Sequence, residues 1–168
     1  RAEHLLEGSE EAEQSRILTS VALHNKKSVP ETLDPETARL VHLVRDADKL
    51  DIFRVLEVAI ADGSLERNPE IAWDLQVKGL PSATLVEAVR QGLPVSYEWV
   101  KSLSDFVLIQ VGWLTGGLHY LSALRLASER HVLEYREAFL KTLSDDPGVD
   151  VCCAAARTFL GKRLKTPF

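Results

Sequence analysis

Residues 34–51 read Asp34-Pro35-Glu36-Thr37-Ala38-Arg39-Leu40-Val41-His42-Leu43-Val44-Arg45-Asp46-Ala47-Asp48-Lys49-Leu50-Asp51. Asp34 is a capping residue, Pro35 suits the first helical position and Glu36 matches the positive end of the helix dipole, so a helix starts here. Leu40, Leu43, Val44, Ala47 and Leu50 form its apolar stripe, and Ile52, Val55, Leu56 and Ala59 carry it on to Gly63. Three carboxylates and two cations crowd into 45–51 at the end of an apolar lead-in. Burying them is costly unless they are paired or bound.

The same periodicity extends outward. Ser9 with Glu10, Glu11 and Glu13 opens a helix carrying Ile17, Leu18, Val21 and Ala22 and ending near His24. Ala2 to Leu6 reads as the tail of an earlier helix, stopped at Gly8. Residues 26–33 form a loop around Pro30. The stretch from Gly63 to Val95 is turn-rich, with a short helix near Ser82–Arg90. Ser96 is expected to open a helix reaching Leu114, broken by Thr115-Gly116-Gly117. Leu118–Leu143 reads as one long amphipathic helix, and a last helix covers Val149–Leu164 ahead of a basic tail. No alternating strand pattern appears, so the fold class is all-α.

The bulk numbers set limits. The 168 residues are 45% hydrophobic and 27% charged, which fits a globular chain with a real core. A net charge of −5 argues against duplex nucleic acid and anionic membranes as partners. The longest apolar run, Phe106–Leu114, is too short to span a bilayer. Cys152 and Cys153 are adjacent and read as small helix residues, which fits a reducing cytoplasm.

On a helix, Arg45, Asp48 and Asp51 share one face, with Asp46 and Lys49 rotated onto its flank. An unpaired carboxylate suits a hard cation, and a nearby Lys or Arg suits a phosphate. His24 offers an imidazole nitrogen, and Asn25 and Lys26 offer donors to a substrate oxygen. The competing reading is a solvated charge network without chemistry. Arg45 and Asp46 are candidates for an internal ion pair, and His42 for a contact with Asp46 one turn on. Trp73, Trp99 and Trp113 read as core or interface residues. His119 has no assigned role.

Ile17–Leu56 resembles the C-terminal half of the HD-domain metal-dependent phosphohydrolase superfamily. The resemblance rests on His24-Asn25-Lys26, Val29-Pro30-Glu31-x-Leu33, and Val44-Arg45-Asp46-Ala47-Asp48-Lys49-Leu50-Asp51. It implies an HD-domain-like helical bundle: residues 1–63 as the end of the core, and residues 64–168 as accessory helices continuous with it. It implies hydrolysis of a small phosphoester or nucleotide with a divalent metal (Mn, Mg, Fe, Ni or Zn) and a homodimer as a candidate assembly. In that superfamily a histidine, a His-Asp doublet and a distant aspartate in an Ala-Asp-x-Leu context hold the metal. The aspartate carries over to Asp48, with His24 as a further ligand or phosphate contact. Lys49 then offsets transition-state charge, Asp51 orients a ligand or accepts a proton, and Asn25 and Lys26 bind substrate. None of the five histidines, His4, His24, His42, His119 and His131, is followed by Asp. The chain has no methionine, and the expectation is that the missing ligands precede Arg1. The alternative is an HD-like module that senses a ligand or binds a protein without catalysis.

Overall fold

The computed structural model describes residues 6–26, 28–75 and 79–165. All of the helix tail read over Ala2–Leu6 except Leu6 lies outside them, His4 included. Among the described residues the chain is entirely helical. The α-helices are α1 (Glu11–Leu23), α2 (Pro35–Ala61), α3 (Ser64–Arg67), α4 (Ala83–Gln91), α5 (Leu103–Gly112), α6 (Leu121–Glu129), α7 (Val132–Leu143) and α8 (Pro147–Lys165). Short 3-10 turns occupy Pro69–Ala72 and Tyr97–Trp99, and a π-turn spans Trp113–Gly117.

Helix α5 is the hub. All ten of its residues are buried, as expected of a helix that is apolar on every side. It packs on α4, α7 and α8, and the last two also pack on each other. Phe53 and Leu56 of α2 join the same core as Leu108, Leu124, Leu140 and Cys153. Helix α1 is different: it packs chiefly on α2, and its Leu18 and Val21 remain exposed.

Local chemistry sets the boundaries. Asp34 accepts from the Glu36 and Thr37 amides and starts α2. These bonds, chiefly those of Thr37, hold its carboxyl below the usual range. The true start of α5 is Ser102, not Ser96. The Ser102 hydroxyl accepts from Asp105 N, and the Asp105 carboxylate accepts from Ser102 N, a reciprocal capping box. Ser96 lacks an acidic residue three positions on and leads only into the 97–99 turn. Asp105 also accepts from Ser82 N at 2.6 Å, at the start of α4.

The single helix expected over Leu118–Leu143 is two helices. Arg130 N and His131 N bond back to Leu126 O and Ser128 O, and His131 sits in the left-handed region at φ 55. The phase of α2 also differs from the expected stripe. Leu43 is 55% exposed and Ala47 is exposed, while Thr37, Val41, Asp46, Lys49, Phe53, Leu56 and Ala59 are buried. The flank that carries Asp46 and Lys49 is therefore the inward one.

Candidate functional site

A cavity of about 720 Å³ opens between the α1–α2 loop, α2, the 93–98 segment and the π-turn. Each wall has a local cause. Gly92 ends α4 in the left-handed conformation (φ +68) and releases the chain into Leu93–Glu98. The π-turn closes with Leu118 N on Trp113 O at 2.8 Å. A Cβ on Gly117 would lie 2.9 Å from Trp113 Cβ, so the turn admits no larger residue there without a shift. Arg45 Nη1 donates to Leu23 O, His24 O and Lys26 O at 2.8, 3.2 and 2.6 Å, which ties down the end of α1 and the loop after it.

Asp46 anchors the far wall. Its carboxylate accepts from His119 N (3.0 Å to each oxygen) and from Tyr120 N (2.8 Å). The Tyr120 hydroxyl donates to Arg39 O at 2.9 Å. These bonds fix His119 against His42: the rings stack with centroids 3.9 Å apart and planes 10° apart. The Arg45–Asp46 ion pair and the His42–Asp46 contact are both replaced. Arg45 serves the end of α1, and Asp46 serves a backbone more than seventy residues away.

Lys49 is the unusual member. It is 7% exposed and lines the cavity. Its Nζ donates to Arg45 O at 3.2 Å. Among the described residues it makes no ion pair, so Asp46 and Lys49 share a flank, three residues apart, without pairing. Burial, reinforced by Arg45, lowers its pKa. Burial, then the His119 ring and the Arg45 charge, likewise lowers that of His42.

The cavity wall includes Asn25, Lys26 and Lys49 and leaves out His24, Asp48 and Asp51. His24 Nδ1 lies 2.6 Å from Val21 O. Asp51 is exposed. Asp48 is half-buried and accepts no hydrogen bond among the described residues, although its charge reaches Tyr97 and raises that phenol after burial has done so. No group of three His, Cys, Asp or Glu side chains able to hold a metal comes together among the described residues. Asp48 and His24 therefore do not by themselves make a fitting donor set.

His119, Tyr97 and Trp113 also line the cavity. The one cue for His119 is the Gly116-Gly117 pair before it, which marks a turn but not what the turn faces. Trp113 is buried, Trp99 packs partly buried against the core, and Trp73 stays 48% exposed with its edge toward Tyr97 and Phe106. Among the described residues no helix is long and apolar enough to cross a membrane. No family model, no curated protein and no solved structure matches the chain. The resemblance to HD-domain phosphohydrolases thus rests on the quoted residues alone.

Proposed function

We propose that the cleft binds a small phosphoester, nucleotide-like or simpler, with Lys49 supplying the counter-charge. One observation carries this: Lys49 is nearly buried on the cavity wall and makes no ion pair among the described residues, the Asp46 and Asp48 charges reaching it only from a distance. A buried charge without a partner is costly, and an anion in the cleft supplies the missing partner. Lys26 and Asn25 at the rim add donors, and the Tyr97 and Trp113 rings offer apolar surface beside them. Phosphate and a panel of phosphomonoesters, titrated by calorimetry, should bind, and Lys49→Met should weaken binding at least tenfold. Absence of binding at millimolar concentration, or unchanged affinity in the variant, would sink this reading.

The second reading is metal-dependent phosphoester hydrolysis. What favours it is Asp48, half-buried beside the cleft and free of hydrogen bonds among the described residues. The donors present do not complete a metal site, so no step is derived through a metal. Metal analysis with a phosphatase assay separates this reading from a non-catalytic sensing module. The two buried free thiols fit a reducing, cytoplasmic setting.

A further inference from the structure

The stacked imidazoles stand apart from the rest of the cleft because they are held there. Asp46, one turn beyond His42 on α2, grips the backbone of His119 and Tyr120 through three hydrogen bonds. Its oxygens accept from these amides and, among the described residues, from neither ring, while its charge still favours a proton on His42. Tyr120 sets its ring edge-on to His119 at 5.0 Å. The result is a pair of titratable rings in face contact on the wall of a cavity that also carries a buried cation.

We propose that the His42–His119 pair selects the charge state of the ligand: it takes up one proton as a dianionic phosphoryl or sulfuryl group enters, and so favours a terminal phosphate monoester over a diester. This rests on the anion-binding reading of the same cleft. Among the described residues, the charged and titratable groups around the pair and along the same cavity come from several elements. From α2 come Arg45, Asp46 and Lys49; from the loop before it, Lys26 and Glu31; from the 97–99 turn, Glu98 and the neutral Tyr97; from beyond the π-turn, Tyr120. Glu31 and Glu98 are exposed at the mouth, where water screens them. Lys49 and Arg45 sit deeper together with Asp46, so two cations against one carboxylate leave the wall behind the rings net positive.

A proton on His42 is opposed by partial burial, the His119 ring, Arg45 and Lys49 and favoured by Asp46, and the opposition prevails. Two protons on rings 3.9 Å apart are opposed still more strongly. The lowered pKa of His42 agrees with this geometry. His42 therefore holds a proton less readily than a free imidazole and is poised to gain charge when the local potential changes sign. The net positive charge of the wall matches a monoanion, whereas a dianion leaves negative charge over, and a proton taken up on one of the two stacked rings neutralises it.

Sulfate and methyl sulfate test this. Sulfate is a dianion across pH 6.5–8, and methyl sulfate is the same group with one oxygen esterified. Sulfate affinity should fall close to tenfold per pH unit over that range. Calorimetry in buffers of different ionisation heat should report near one proton taken up per sulfate. Methyl sulfate affinity should change less than twofold over the same interval. In His42→Asn/His119→Asn the uptake should vanish and the preference for sulfate with it. That variant leaves the Asp46 grip intact, since the grip engages backbone amides. Sulfate binding that is independent of pH, or proton uptake that survives in the double variant, would overturn the selection mechanism and leave the anion site standing. If neither anion binds at any pH, both fall.

Discussion

Among the described residues two cations are buried, and the fold treats them in opposite ways. Arg136 on α7 is completely buried, and partners surround it. Nε donates to Gln110 Oε1 at 2.8 Å, Nη2 to Phe53 O at 2.7 Å and Nη1 to Glu57 at 3.3 Å, with the Phe53 ring 5.4 Å below. Burial still pulls its pKa down to about 10, but at neutral pH it stays charged. Lys49 on α2 is nearly as deep and has one backbone carbonyl. A fork of rigid donors suits a fixed network, whereas a single ammonium on a flexible stem suits a partner that comes and goes. The first cation belongs to the architecture. The second has one backbone carbonyl and only the more distant charges of Asp46 and Asp48.

Substitutions should widen or close that gap. Arg136→Ala strands Glu57, Gln110 and a buried carbonyl at once. It should cost about 3–5 kcal/mol, a fall of roughly 10 °C in melting temperature. A shift of less than about 2 °C would erase the contrast. Asp46→Ala leaves three backbone N–H bonds unmade at the His119 wall. It should cost about 1–3 kcal/mol in denaturant titration, and the His42–His119 stack should separate, visible as changed imidazole shifts by NMR. Lys49→Met should do least to stability: the melting temperature should stay level or rise slightly, because an unpaired buried charge is being removed. A fall as large as that of Arg136→Ala would mean that Lys49 belongs to the architecture as well.

The elements that were legible in the sequence are those with local causes. Asp34-Pro35-Glu36 marked the start of α2 because cap, proline and acid act within one turn. The α5 start carried an equally local sign, Ser102 with Asp105 three residues on, but Ser96 looked similar without that partner. The break at His131 carries no Gly or Pro, so the pattern alone read straight through it. The inward face of α2 was misjudged for a different reason. Counting apolar residues favours Leu43 and Ala47, but Asp46 turns inward because its partners lie elsewhere in space, and Lys49 on the same flank turns in with it. For Asp46 those partners are the His119 and Tyr120 amides. The cleft was half legible: Asn25, Lys26 and Lys49 were named from the motif, while His42 and His119 meet only once the π-turn is built.

Helix α1 packs chiefly on α2, and the Arg45 guanidinium holds its last carbonyls. A helix so tethered is a sub-globular unit that opens at lower free energy than the α5 core. The loop bearing Asn25 and Lys26 moves with it, so each opening also dismantles one wall of the cleft. A ligand that binds only the intact wall therefore acts along the whole of α1, thirteen residues that it never touches. Occupancy of the cleft and the order of the N-terminal helix become one equilibrium, seen from two ends.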